Sequence, residues 1–269
     1  MPVDPFEHDA IRLGSLLVTL VEPNKGHEVA YNRWYERDHY YSGCMIGPWN
    51  LAGGRFVATA DCKERRAAEV GENEITGDPK RGSYLAIYAV QDGRYKEWVQ
   101  WAGAQVMWLH ENGRMFAERE HVHTQMYKYR WGAFRDDDGV PAELALDRRY
   151  PGLVAVYGEA TDDDPAMLES WLQDEFLPSK QAGSPIAMTL HSTPRELKQG
   201  PKDVPRNEGS ERKFLHLHFL EADPLDTWDA HFAGISKELA ASGLGRVEFA
   251  SPFRATIYGT DTYTDQLWS

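Results

Sequence analysis

The sequence predicts an α+β fold in which one βαββαβ unit occurs twice in tandem. Apolar, strand-like runs and helix-like segments follow one another in the same order in both halves of the 269-residue chain. Each half also has one long polar loop after its second strand. Tryptophans recur at matching helix positions, Trp34 with Trp171 and Trp98 with Trp228. A repeat carried by the order of elements more than by sequence identity is typical of an old duplication.

The first half is predicted to span residues 11–135. Short apolar runs with β-branched residues indicate its strands, and Gly, Pro and Asn mark where they end. The fourth of its seven segments, between the second and third strands, is charged and punctuated by Gly and Pro, which indicates a loop. In order, strand, helix, strand, loop, strand, helix and strand are predicted at 14–21, 27–42, 51–60, 61–82, 84–90, 95–116 and 120–134.

A hydrophilic linker, 136–151, separates this half from a second half at 152–269. The second half repeats the order of elements, which is the ferredoxin-like arrangement. One such unit packs both helices on one sheet face and leaves the other face bare, so two units can bury their bare faces together. The predicted elements are 153–159, 165–180, 186–192, the loop 193–212, 214–221, 225–242 and 247–258.

Net charge and cysteine content indicate which binding partners and which cellular compartment to expect. A net charge of −13 argues against nucleic acid and anionic membranes, which need basic surfaces. The two cysteines, Cys44 and Cys62, have no CxxC spacing, which excludes a disulfide framework and favours a reducing cytoplasm. The first residues lack a signal-peptide pattern, and no stretch approaches the roughly 20 apolar residues of a membrane span. We therefore expect a cytoplasmic protein with a small-molecule partner, and a homodimer stays open.

One short motif resembles a known superfamily. It consists of the helix segment WYERDH at 34–39, the Gly-Pro pair at 47–48 and the strand entry Gly-Arg-Phe at 54–56. This motif is similar to the EthD-like branch of the dimeric α+β barrels. The resemblance implies that the two antiparallel sheets pack as a barrel within one chain, and that His39 points into a cavity and handles a proton. The superfamily includes cofactor-independent oxygenases, cyclases, isomerases, dehydratases, lyases and haem enzymes, so fold alone does not give the function.

His39 is the leading candidate for acid/base chemistry. It follows Tyr35 by four residues, so the two side chains share a helix face. When the helix tryptophans of the two halves are aligned, Leu172 stands at the position of Tyr35 and Phe176 at that of His39. The fold therefore does not require a histidine there, and His is the usual general base near neutral pH. The alternative is a helix-end histidine that interacts with the helix dipole.

Histidines also recur on the predicted strands. Alternation places His216 and His218 on the face opposite Leu215, Leu217 and Phe219. If the apolar side meets the helices, the histidines face the barrel interior, and His191 is expected there too. In the fourth strand the same reasoning groups His121, His123, Gln125 and Tyr127 on one face. A polar, ring-lined interior would suit a small molecule. Alternatively, these histidines pair with one another or with buried water.

Together these features predict a cofactor-independent enzyme with His-mediated acid/base chemistry on a small aromatic or cyclic oxygenated substrate. Its reaction would be of lyase, isomerase, cyclase or oxygenase type. The catalytic candidates are His39, Tyr35, His121 and His123. The substrate-binding candidates are Trp34, Tyr40, Arg55, Tyr127, His191, His216 and His218.

Three alternatives remain open at the level of sequence. The protein could bind a metabolite without catalysis. It could hold a divalent metal on paired strand histidines, assisted by Glu120 or Asp38, although no metal signature is present. It could also bind haem, for which one axial histidine suffices, and His110 or His231 would be the candidate.

Overall fold

The computed structural model describes residues 11–69, 73–197, 204–205 and 207–268, with the backbone alone at 67–69. Eight antiparallel strands close into one barrel in the order β1-β3-β2-β8-β5-β7-β6-β4. The strands are β1 (Leu13–Pro23), β2 (Asn50–Val57), β3 (Tyr84–Gln91), β4 (Arg119–Phe134), β5 (Gly152–Ala160), β6 (Ile186–Arg195), β7 (Lys213–Leu220) and β8 (Gly245–Ala255).

Helices cover the outside of both sheets. They are α1 (Glu28–Trp34), α2 (Ala60–Glu69), α3 (Tyr95–Glu111), α4 (Ala166–Trp171), α5 (Leu177–Gln181), α6 (Pro224–His231) and α7 (Ile235–Ser242). Wider π-helical turns extend α1 at Tyr35–His39 and Tyr41–Met45, and they join α4 to α5 at Leu172–Phe176. No helix in the described ranges is long and apolar enough to cross a membrane.

The strand order confirms the predicted duplication. Half one, which we define as β1–β4 with α1–α3, has the sheet order β4-β1-β3-β2, and half two, β5–β8 with α4–α7, has the equivalent order β8-β5-β7-β6. The two sheets join along eight residue pairs between β4 and β6 and along only two pairs between β2 and β8. The barrel therefore closes within a single chain.

The repeat extends to irregular features of the backbone. A register shift opposite Leu20 and Val21 of β1 recurs opposite Tyr157 and Gly158 of β5. The π-helical turn Tyr35–His39 recurs as Leu172–Phe176. These coincidences allow residues of the two halves to be matched as structural twins, so that Thr19 corresponds to Val156 and His39 to Phe176.

The interior of the barrel is apolar, which contradicts the predicted polar interior. Leu16, Val18 and Leu20 of β1 join Leu215, Leu217 and Phe219 of β7 in one buried core cluster. Alternation on β7 was predicted correctly, but its apolar side faces the barrel instead of the helices. Both sheet faces are buried here, so alternation alone does not tell which face meets the helices.

The loop predicted at 61–82 is wrong over its first part, because α2 occupies Ala60–Glu69. Its charged residues are not all solvated. Arg66 is 0% exposed, lies over the rings of Phe249 and Phe253, and donates to the backbone carbonyls of Pro79, Arg81 and Gly82. A charged residue that the sequence assigns to a solvated loop is thus buried against the barrel core, where it donates hydrogen bonds to backbone carbonyl oxygens.

The predicted helices also differ in their continuity. The segment 225–242 is broken between α6 and α7, and 95–116 ends as a helix at Glu111. The predicted helices at 27–42 and 165–180 each change into π-helical turns partway along. These wider turns carry Tyr35 and His39, so the departure from a regular helix falls at the candidate site.

Candidate functional site

A cavity of about 100 Å³ lies between the helix-facing side of the half-one sheet, α3 and the π-helical turn Tyr35–His39. Its walls are mostly apolar. Two of its wall residues, Leu197 and Val204, belong to the connection between β6 and β7, so half two completes a cavity of half one. The lining residues are Leu17, Thr19, Tyr35, His39, Gly43, Cys44, Tyr88, Trp98, Val99, Ala102, Gly103, Val106, Met115, His121, Thr124, Leu197 and Val204.

The contribution from half two is anchored on half one by hydrogen bonds at both ends. The Tyr95 hydroxyl donates to the Glu196 carbonyl at 3.3 Å, and the Gln125 amide donates to the Glu208 carbonyl at 2.8 Å. The Arg195 guanidinium also lies 4.5 Å from the centroid of the Tyr95 ring. These contacts hold the described residues at the two ends of the connection against half one.

The ring of His39 is held by packing on both sides. Trp34 stacks on it, with ring centroids 4.6 Å apart and planes 17° from parallel, and the Trp34 indole N–H donates to the Arg114 carbonyl. On the other side lies Gly43, where an added Cβ would come within 2.9 Å of His39 Cε1. A glycine is therefore needed for the close approach of this turn to the imidazole.

The protonation state of His39 follows from its surroundings. Burial, with the charges of Arg119 and His121 nearby, lowers the pKa of His39 to about 3. The imidazole is therefore neutral at physiological pH. Its Nδ1 atom is buried and has no hydrogen-bond partner among the residues that the structure describes. A neutral imidazole has one ring nitrogen that carries a hydrogen and one that can accept a hydrogen bond or a proton.

Tyr35 and Tyr88 form a hydroxyl pair at the same end of the cavity, with 2.8 Å between their oxygens. Burial raises both pKa values well above 10, so both hydroxyls keep their protons. One O–H of the pair donates to the other, and the Cys44 thiol beside them also forms a hydrogen bond with Tyr88. A tyrosine O–H in an apolar cavity can stabilise an oxygen that gains negative charge. Burial likewise raises the pKa of the Cys44 thiol beside them to about 12, so it is not a nucleophile at neutral pH.

A second group of polar side chains lies on the sheet that forms the cavity floor. The hydroxyls of Thr19 and Thr124 are 2.8 Å apart, and His121 Nδ1 lies 3.2 Å from the Thr124 hydroxyl. These residues are on the neighbouring strands β1 and β4. The cavity thus has one polar end at His39 and Tyr88 and a second polar group on its floor.

Of the predicted site residues, the cavity brings together Tyr35, His39 and His121. Trp34 supports His39 from behind without lining the cavity. Tyr40 and Arg55 instead line a separate cavity of about 300 Å³ beside the short β2–β8 junction. Arg55 is fully buried there and donates to Asn32 and Glu36 at 3.0 Å, with its guanidinium 4.4 Å from the Tyr35 ring centroid. Arg55 therefore lies outside the cavity that contains His39.

The prediction that His121 and His123 share a strand face is wrong. Leu20 pairs with His123 and Val21 pairs with His121, so Val122 is an extra residue in a β-bulge. The bulge turns His121 towards the helices and leaves His123 on the barrel side. There His123 lies 2.8 Å from the Tyr127 hydroxyl and packs edge-on against Tyr157. His123 and Tyr127 are therefore outside the cavity.

The prediction that His191, His216 and His218 face the barrel interior is also wrong. They lie on the helix-facing side of half two and contact one another or Thr189 at 2.8 Å. Trp131 stacks on His191 with centroids 4.3 Å apart, and Phe232 packs against His218. This side of half two is filled by rings, so these histidines have no cavity beside them comparable to that of His39.

The residues proposed as ligands for a metal or for haem are not arranged to hold either group. No cluster of three or more His, Cys, Asp or Glu within the described ranges could hold a metal ion. Glu120 and Asp38 are paired with Arg81 and Arg114 instead. His110 is exposed and His231 lies at the end of α6, and neither lines the cavity, which at about 100 Å³ is far smaller than a haem requires.

Several cavity residues escaped the sequence analysis. Tyr88, Thr19, Thr124 and Cys44 were not singled out, because no motif marks them. One signal was available, because Thr19 interrupts the otherwise apolar first strand on the side that excludes Leu16, Val18 and Leu20. Thr124 could not be assigned to a face without knowledge of the bulge at Val122.

The fold and the cavity define the chain as a dimeric α+β barrel with a small, helix-covered cavity in one half. No protein-family model matches the sequence. No curated protein matches it either. Among solved structures, it is similar to an anthrone oxidase-like protein at 8% identity, covering 94% of this chain and 98% of that chain with a TM-score of 0.54.

Two further structures show the same fold at a TM-score of 0.50. A candidate chlorite dismutase is 11% identical and covers 95% of this chain and 100% of that chain. A candidate monooxygenase of Fusobacterium nucleatum is 9% identical and covers 90% and 92%. These similarities confirm the predicted barrel fold along almost the whole chain. At such identities they show the fold alone, and the EthD-like branch rests on the motif.

Proposed function

We propose that the protein is an enzyme that removes a proton from a small aromatic or cyclic oxygenated substrate, with His39 as the general base. The observation that carries this proposal is the unpartnered Nδ1 of a neutral, ring-stacked His39 beside the Tyr35–Tyr88 hydroxyl pair. The structurally similar proteins bear names of oxidases, monooxygenases and dismutases, which is consistent with an enzyme.

The chemistry follows from the two groups at this end of the cavity. His39 accepts a proton from an O–H, or from a C–H next to a carbonyl. The electron pair left behind moves onto the substrate oxygen, which accepts a hydrogen bond from an O–H of the Tyr35–Tyr88 pair. The low pKa of His39 rises when this anion forms beside the imidazolium, because opposite charges stabilise each other in an apolar cavity. Reactions of lyase, isomerase, cyclase and oxygenase type can each begin with this step.

The size of the cavity limits the substrate. An apolar protein cavity of about 150 Å³ accommodates benzene, so a cavity of about 100 Å³ admits at most one small ring and excludes a fused system. The apolar walls favour a largely apolar ring. Binding without catalysis is the competing proposal, and it would be favoured if every histidine were satisfied internally. His123, His191, His216 and His218 each use one ring nitrogen in a hydrogen bond. The Nε2 atoms of His191 and His218 are, like His39 Nδ1, buried without a hydrogen-bond partner among the described residues, but of these three only His39 lines the cavity.

Hydrogen–deuterium exchange tests the proton abstraction without knowledge of the final product. Cyclohexanone in D₂O at neutral pD would be followed by NMR for loss of its α-protons, with and without protein. We expect faster exchange with the wild-type protein and about 10²-fold less acceleration with His39→Phe. Phe is the residue of the twin position, so the fold should tolerate it.

The matched control is His110→Phe, which removes an exposed histidine from the end of α3. This variant should exchange α-protons as fast as the wild type. Equal exchange rates for wild type and His39→Phe would contradict His39 as the base.

A further inference from the structure

The floor of the cavity carries polar groups that the proton transfer at His39 does not use. Thr19 and Thr124 are 7% and 6% exposed, and their hydroxyls form a chain with His121. All three line the cavity. Placing hydroxyl groups in an otherwise apolar wall costs free energy unless their hydrogen bonds are satisfied, and even then it gains little over apolar packing.

The duplication supplies an internal control for this floor. The strand registers match Thr19 with Val156 and Thr124 with Ala250. After the bulge that both halves share, His121 corresponds to Val247. All three twins are apolar, so the fold does not need polar side chains at these positions. Their presence in half one coincides with the presence of a cavity there.

The floor and the end that holds His39 lie on different elements around the cavity. Tyr88 lies on β3 and Thr124 on β4, with β1 between them. Two strand spacings amount to about 10 Å between the backbones of Tyr88 and Thr124, whereas Thr19, on β1, is one strand spacing from β3. A ring that lies along the sheet can therefore turn one edge towards Tyr88 and the opposite edge towards Thr124.

We propose that the substrate ring carries two oxygen functions on opposite edges, one for the His39–Tyr35–Tyr88 end and one for the Thr19–Thr124 floor. This inference rests on the proposed function in taking the cavity as the substrate site. Thr19 ends the hydroxyl chain, so it donates when His121 Nδ1 carries the hydrogen and accepts when it does not. The floor can thus take either a carbonyl or a hydroxyl, and it determines specificity without touching the reacting proton.

Binding of phenol and of hydroquinone tests this inference, because the two probes differ only in the second, para oxygen. Anaerobic NMR titrations would give both dissociation constants for wild type, for Thr19→Val/Thr124→Val and for the exposed control Thr161→Val. Wild type and control should bind hydroquinone about 2- to 10-fold more tightly than phenol, the range expected for one hydrogen bond. The double variant, which is isosteric, should bind both probes equally.

Two results would overturn the inference: equal affinities in the wild type, or a preference for hydroquinone that survives in the double variant. Ala102→Phe places a ring in the cavity and should abolish binding of both probes. Persistent preferential binding in this variant would put the probes elsewhere and would also overturn it. Because these titrations involve no reaction, a failure of His39-dependent exchange would remove the proposed function while leaving the two-oxygen preference measurable.

Discussion

The helix-facing sides of the two halves share the same backbone features, but one side encloses a cavity and the other is filled by side chains. In half one, Trp34 stacks on His39 at 4.6 Å, and in half two Trp171 stacks on Phe176 at 4.7 Å. Each stack involves a residue of the equivalent π-helical turn in its own half. Half one has a cavity next to its stack, whereas rings of half two occupy the equivalent space.

The filling of half two can be traced to single positions. Aligning Trp98 with Trp228 matches Ala102 with Phe232, which is fully buried between Trp228 and His218. Strand pairing likewise matches Ala86 with His216. The same backbone therefore encloses a cavity where these positions carry alanine and a packed core where they carry rings. The π-helical turn occurs in both halves, whereas only the turn of half one carries a histidine.

The largest effect is expected when a ring of half two is removed. Phe232→Ala should lower the free energy of unfolding by about 3 to 5 kcal/mol, because it leaves a void in a packed region. Urea denaturation would measure this loss. A loss below about 1 kcal/mol would show that half two is not densely packed and would weaken the contrast between the halves.

A second comparison concerns Arg55 and its twin His191. Arg55→Leu leaves Glu36 buried without its cation, which should cost about 3 to 5 kcal/mol. His191→Leu removes a neutral ring from a hydrogen bond with His216 and should cost about 2 kcal/mol less. Urea denaturation of both variants, with Arg55→Leu/Glu36→Leu as the control that removes both charges, would measure the difference. Equal losses would mean that the ion pair is not the source of the effect.

The smallest effect concerns pH. Burial lowers the pKa values of His216, to about 3, and of His218. In the unfolded chain histidine titrates near 6.5, so below that pH the unfolded state binds protons that the folded state rejects, and stability falls. Between pH 7 and pH 5, His218→Phe should lose about 2 kcal/mol less stability than wild type. Thermal or urea unfolding at both pH values would test this, and the exposed variant His110→Phe should behave as wild type.

The order of elements was predictable from the sequence because it depends on local patterns that occur twice. The pairing of His39 with Phe176 was also predictable, since the flanking tryptophans align without any insertion. The side of the sheet that meets the helices was not, because both sides of β7 are buried and alternation is symmetric. The bulge at Val122 and the helix α2 depend on contacts distant in sequence, such as those of Arg66 with Gly82 and Phe249.

The connection between β6 and β7 makes the two halves unequal partners. Its residues Leu197 and Val204 form part of the wall around His39, and Tyr95 and Gln125 of half one hold it in place. Half two therefore has packed rings where half one has its cavity, and it contributes part of the wall of that cavity. A gene fragment that encodes half one alone would keep every polar group of the site but would leave its cavity open to water. The cavity around His39 therefore depends on residues from both halves of the chain.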